Sequence, residues 1–155
     1  MPKKVKVPII GEIESQTGKV RYYQQEIVLE LTGNILGKKN YYRRGRGSSF
    51  YKPDKIRVFE EDILWQIKGQ LANYKKIELL FKSSVEVSMH FIVKNKRADL
   101  DNKFTALLDL LKTAGIIKDD SLKYVVSGHF EGIIGKLEQT QIIVREINLK
   151  NNLIC

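Results

Sequence analysis

Apolar and polar residues change rhythm several times along the chain, and each change predicts an element. From Val85 to Val93 they alternate: Val85, Val87, Met89, Phe91 and Val93 fall on one side, Glu86, Ser88 and His90 on the other. A period of two is the signature of a half-buried strand. Around Pro53-Asp54 the period lengthens. Ile56, Phe59, Ile63, Ile67 and Leu71 recur at steps of three or four and make one apolar stripe, which predicts a helix opening at Asp54. Trp65 lies off that stripe and is expected at an edge or a subunit contact. A second stripe, Phe104, Leu107, Leu108, Leu111 and Ala114, predicts a helix over about 102–114, with Gly115 placed to end it in the left-handed conformation.

Residues 5–10, 20–31, 122–130 and 138–149 read as further strands, with hairpin loops expected at 11–19 and within 128–135. The order is strands, helix, strand, helix, strands. It predicts a single α+β domain over 1–155, with two main helices packed on a small mixed or antiparallel sheet. Residues 33–53 have neither rhythm. Glycine, serine and cations dominate them, so a flexible basic loop is expected there. Residues 150–155 read as a frayed tail.

Composition narrows the function. The chain has 155 residues, with 27 Lys and Arg against 18 Asp and Glu, for a formal net charge of +9. Such an excess favours an anionic partner, and nucleic acid is the commonest. Cys155 is the only cysteine, so no internal disulfide can form, which fits a reducing cytoplasm. No apolar run approaches the roughly 20 residues of a membrane span, and no long apolar stretch follows the basic N-terminus.

Against this basic background three carboxylates stand out: Asp99 and Asp101 in Asp99-Leu100-Asp101-Asn102, and Asp120 in Asp119-Asp120-Ser121. Hard cations such as Mg²⁺ take oxygen ligands and rely on one or two carboxylates plus substrate phosphate. If the three converge, one or two Mg²⁺ ions could sit against a scissile phosphate. The spacing equally allows Asp101 or Asn102 to cap the second helix and Asp119-Asp120 to form a turn. Convergence within one chain requires the segment after the helix to double back; a homodimer could also bring the acids together. An EF-hand is excluded, because Phe104 stands where that loop needs glycine.

Cations surround the acids. Lys94, Lys96 and Arg97 precede them and Lys103 follows. The loop adds Lys38, Lys39, Arg43, Arg44 and Arg46, interleaved with Tyr41 and Tyr42. Basic side chains meet phosphates, and aromatic faces stack on unpaired bases. These residues are the expected DNA-binding set. His90 and His129 fall on strands with nothing in the sequence to make them catalytic.

The order Asp99-Leu100-Asp101-Asn102, then Ala106-Leu107-Leu108-Asp109-Leu110-Leu111, then Ala114-Gly115-Ile116-Ile117-Lys118-Asp119-Asp120 resembles the core of RusA-type Holliday junction resolvases. Asn40-Tyr41-Tyr42-Arg43 resembles a further segment of that family, and residues 1–25 look like an addition to its usual start. The resemblance implies a homodimeric endonuclease that cuts four-way DNA junctions with Mg²⁺, or Mn²⁺ in its place, in a bacterial or phage-infected cell. It implies Asp99, Asp101 and Asp120 as catalytic metal ligands, with Asp119 beside them. Family members carry a lysine six residues after the first aspartate, and Thr105 stands there instead. Two other readings follow from that departure and from the charge: a junction-binding protein with weak or no cleavage, and a regulator that binds an acidic protein partner.

Overall fold

The computed structural model describes residues 13–14, 20–37, 43–44, 50–72, 81 and 84–150. Its elements are β1 (Ile13–Glu14), β2 (Val20–Thr32), β3 (Arg43–Arg44), β4 (Phe50–Tyr51), α1 (Asp54–Leu71), β5 (Val85–Val93), α2 (Leu100–Thr113), β6 (Val125–Ile134) and β7 (Gln139–Lys150). The expected strand at 5–10 and the tail at 151–155 lie outside the described residues.

Five strands form one sheet in the order β1-β2-β7-β5-β6. Only the β5–β6 pair is parallel; β1–β2, β2–β7 and β5–β7 are antiparallel. The α+β expectation holds, with two helices on a mixed sheet. The alternation read along β5 becomes a core face: Val85, Val87, Met89 and Phe91 are buried. They meet Ile27, Leu29 and Leu31 of β2 and Ile142 and Val144 of β7 in one cluster. Ile63 and Ile67 of α1 and Leu107, Leu110 and Leu111 of α2 close it from above. Each such side chain contributes about 1.5–3 kcal/mol by leaving water. Both helices therefore lie on one face of the sheet, and no described helix covers the other.

Two glutamines fix α1 against β2. The Gln66 side chain accepts a hydrogen bond from Thr32 N at 2.9 Å and donates to Thr32 O at 3.1 Å. Gln70, one turn on, accepts from Glu30 N at 2.8 Å and donates to Glu30 O at 2.6 Å.

The stretch expected to hold a hairpin between the last two strands does not form one. β6 continues through Gly128 and Gly132 to Ile134, and it pairs with β5, not with β7. The cause is α2, which carries the chain from β5 over the sheet and delivers β6 parallel to it, as a helical crossover does. The two glycines are packing positions. A Cβ on Gly128 would lie 2.8 Å from Phe104 Cζ, and one on Gly132 would lie 2.8 Å from Leu100 Cδ1. Their bare backbones let α2 settle on the strand. Gly115 does adopt positive φ, +79°, at the end of α2.

The expected loop also has more order than its composition suggested. Residues 33–37 pack against the start of α2: a Cβ on Gly37 would meet the Asn102 side chain at 2.8 Å, and Leu36 packs on Ile56 and Ala106. Arg43–Arg44 pairs with Phe50–Tyr51 as a short antiparallel ribbon. The remainder, with Lys38, Lys39, Tyr41, Tyr42 and Arg46, lies outside the described residues.

Candidate functional site

The site is built on the two ends of α2. At its start, Asp99 takes extended backbone angles and caps the helix, its carboxylate accepting from Asn102 N at 3.4 Å. The helix thus begins two residues earlier than the apolar stripe predicted, and Asp99 serves as the cap that had been expected of Asp101 or Asn102. Asp101 falls in the first turn, where the helix dipole favours a negative charge. Both acids are exposed. Lys94, Lys96 and Arg97 form the exposed turn that precedes them, so cations and carboxylates share one surface at the end of β5.

Lys103 departs from the expected DNA-binding set. Its side chain is buried, and its ammonium donates to Asn34 Oδ1 at 2.8 Å and to the Ile35 carbonyl. Burial pushes its pKa below the ordinary lysine value, while the nearby charges of Glu138 and Asp99 act in the opposite direction. Sequence could not separate this lysine from its exposed neighbours, because a basic residue after an acidic motif reads equally well as a surface charge. Its function is to tie the root of the basic loop to the start of α2. Lys52, where the loop rejoins α1, pairs with Glu60 at 2.7 Å.

At the far end of α2 lie Asp119 and Asp120. The Asp119 carboxylate accepts from Asp120 N at 2.9 Å, and this bond is the largest cause of its lowered pKa, followed by Ser121. Lys112 stands over both acids, its ammonium 3.7 Å from Asp119 Oδ1 and 3.9 Å from Asp120 Oδ1. Lys112 is thus the cation beside the acid pair, a role its distance along the sequence had hidden. Thr105, where the resemblance implied a lysine, donates its hydroxyl to the Asp101 carbonyl at 2.9 Å.

The two acidic ends do not meet in one chain. Eleven residues of α-helix separate Asp101 from Lys112, a rise of about 16 Å. Among the described residues no group of three or more His, Cys, Asp or Glu side chains is placed to hold a metal ion. The donor chemistry of Asp99 and Asp101 suits a hard cation that takes two carboxylates and completes its shell with water and phosphate. Asp120 lies instead beside Lys112, near the other end of the helix.

The histidines form a separate group on the sheet face away from the helices. His90 Nδ1 is 2.7 Å from Glu131 Oε1, and His129 Nε2 is 3.7 Å from Glu131 Oε2. His90 and Glu131 line a concavity of about 370 Å³ with Glu30 and Gln141, and it contains none of the motif aspartates. No described helix is long and apolar enough to cross a membrane.

Comparison with known proteins gives these ends a context. The family model described as endodeoxyribonuclease RusA matches residues 32–145, a span that contains both acidic ends of α2. A crossover junction endodeoxyribonuclease RusA of Aquifex aeolicus (strain VF5) is 30% identical over 102 residues, covering 66% of this chain and 78% of that protein. A crossover junction endodeoxyribonuclease rusA of Enterobacteria phage HK97 is 34% identical over 82 residues, covering 52% of this chain and 64% of that one.

Proposed function

The chain belongs to the endodeoxyribonuclease RusA family, and on that premise we propose that it is a homodimeric resolvase that hydrolyses the phosphodiester backbone of four-way DNA junctions with Mg²⁺, which Mn²⁺ can replace. Asp99 and Asp101 carry this reading: two exposed carboxylates at a helix start, set directly behind the exposed cations Lys94, Lys96 and Arg97. A bare acidic cluster would repel the DNA backbone. Here the cations bind phosphates and bring the polyanion up to the carboxylates.

Bound between carboxylate and phosphate, the divalent ion would supply an activated water and a counter-charge for the leaving oxygen. The protein's own residues do the rest. Asp99, Asp101 and Asp120 offer the ligands, with Asp119 held beside Asp120. The Lys103 tie keeps the root of the basic loop next to the first two acids. From there Lys38, Lys39, Arg43, Arg44 and Arg46 extend the phosphate contacts, and Tyr41 and Tyr42 offer faces to unpaired bases at the branch point. On this reading the protein acts in the cytoplasm of a bacterial or phage-infected cell.

A labelled synthetic four-way junction tests this. Wild-type protein should yield paired nicks with Mg²⁺ and none with EDTA, and should bind the junction more tightly than linear duplex at physiological salt. Tight binding without product under all metal conditions would overturn the catalytic reading. Equal affinity for junction and duplex would overturn the substrate.

A further inference from the structure

We propose that Lys118, Lys123 and the Tyr124 hydroxyl form a phosphate site beside Asp119 and Asp120, and that it holds one backbone phosphate of the DNA close to the one being cut. It rests on the junction-cleaving reading above and names a contact that positions that substrate. Neither lysine belongs to the DNA-binding set read from the sequence.

The chain after α2 builds the site. Ile116 and Ile117 are buried, and the Ile116 carbonyl accepts from Phe81 N at 3.1 Å, which pins the segment to the domain. Lys118 then emerges exposed. A tight turn follows, in which Tyr124 N and Val125 N both donate to the Ser121 carbonyl at 2.9 Å. On its far side Ser84 Oγ donates to the Lys123 carbonyl at 3.0 Å, and Val85 N to the Tyr124 carbonyl at 2.6 Å. The turn is therefore held at both ends, and it folds Lys118 and Lys123 onto one ring. Their ammonium nitrogens stand 5.5 Å and 5.3 Å from the centre of the Tyr124 ring.

These two charges gather without a counter-charge of their own. Attraction to the ring is weak at an exposed site, and it draws like charges together. Lys112 takes the neighbouring carboxylates, at 3.7 Å from Asp119 and 3.9 Å from Asp120. Among the described residues no carboxylate forms an ion pair with Lys118 or Lys123. The phenol registers both lysines. Desolvation would raise its pKa, yet the hydrogen bond and charge of Lys118, followed by the charge and hydrogen bond of Lys123, hold it below the ordinary tyrosine value. Both ammoniums thus face the hydroxyl as well as the ring. Two ammoniums and a hydroxyl that converge offer the donors that phosphate oxygens take.

Position assigns the phosphate to DNA. Lys118 directly precedes Asp119, so an anion held there lies beside the acid pair. Lys94, Lys96 and Arg97 follow Val93, at the other end of β5 from Val85. The rise along that strand sets its two ends roughly 26 Å apart. Each DNA strand carries a phosphate about every 3.4 Å of helix axis, so the two cationic groups hold different phosphates. Two separated holds fix the direction of the backbone as well as its place.

Salt dependence reads the site without cleavage. Junction binding is measured in EDTA between about 50 and about 200 mM salt. Each phosphate neutralised on duplex DNA contributes about 0.9 to the slope of log affinity against log salt. Both lysines are exposed, so the Lys118→Met/Lys123→Met double variant keeps its fold. Its slope should flatten by about 0.9, the value for one shared phosphate. A loss of about twice that would put the lysines on separate phosphates and overturn the shared site, and an unchanged slope would remove both from the DNA. Tyr124→Phe should weaken binding about two- to tenfold and keep the slope, since it removes a hydrogen bond and no charge; wild-type affinity there would overturn the role of the hydroxyl. Lys68→Met takes a charge from an exposed position near the end of α1 and should leave the slope alone. The same flattening in that variant would trace the effect to net charge and overturn the site. Inorganic phosphate alone, followed by the amide NMR shifts of Lys123 and Tyr124, should saturate only in the millimolar range. Saturation at micromolar phosphate would make this a site for free phosphate and overturn its assignment to DNA. Wild-type protein that binds junction no better than linear duplex would overturn the junction reading alone, because the slope can be read on either DNA.

Discussion

The ammonium of Lys103 donates to Asn34 Oδ1 at 2.8 Å, joining two residues 69 positions apart in the chain. The bond fixes where the basic loop leaves the domain: beside Asp99 and Asp101. Replacing Lys103 with Met removes the charge and leaves Asn34 Oδ1 and the Ile35 carbonyl without this donor. An unsatisfied buried acceptor costs about 1–3 kcal/mol. Urea unfolding should show a loss in that range. Junction affinity should fall more than affinity for linear duplex, because the loop loses its anchor.

The same lysine gives a pH signature. Its pKa is lowered in the folded protein, so between that value and the ordinary lysine pKa the unfolded chain binds more protons. Stability therefore rises with pH across that window. Below it, both states are protonated and the full burial penalty applies. In EDTA, wild-type stability relative to Lys103→Met should increase as pH climbs toward the ordinary lysine range. A flat difference would show that the amine is not desolvated.

Asp99→Asn should abolish junction cleavage while leaving junction binding within about twofold. Asparagine caps helices as well as aspartate does, so the helix start survives and the loss is chemical. Asp99→Ala should also lose cleavage and in addition about 1 kcal/mol of stability. Cleavage by Asp99→Asn at the wild-type rate would remove it from the site.

Lys112→Met should cost at most about 1 kcal/mol of stability, because its ion pairs are exposed. Its cleavage rate should nevertheless fall at saturating Mg²⁺. Thr105→Lys introduces a second cation at the family's position. A gain in rate, above all in the Lys112→Met background, would show that the two lysines serve the same role.

Gly128→Ala should destabilise the domain by about 1–3 kcal/mol, because the new methyl meets the Phe104 ring and that ring packs at a tilt against Phe130. Gly132→Ala should cost less, since a Leu100 methyl can rotate aside. Denaturant midpoints rank the two.

The stripes of α1 and α2 and the alternation of β5 were legible because burial imposes a period on each element. Ile56, Ile63 and Ile67 were read and are buried, and Trp65, off the stripe, is 80% exposed. Gly128 and Gly132 misled for a physical reason: a glycine that makes room for Phe104 or Leu100 looks the same in sequence as one that makes a turn. Lys103 misled because charge says nothing of depth. The motif aspartates and their basic neighbours were legible as residue types, while their division between two ends of one helix was not. Sequence spacing across a helix allows either convergence or separation, and only the path after Gly115 decides.

Gln66 and Gln70 do for β2 what a further strand would do. Their two carboxamides present to Glu30 and Thr32 the donors and acceptors that another strand would present. At that end of β2 the sheet is already answered, and an incoming chain finds no free backbone there to grow on. At the opposite edge, no described strand lies beyond β6. The carboxamides of α1 thus take the place of a neighbouring strand at the Thr32 end of β2, and a chain that adds there must first displace them.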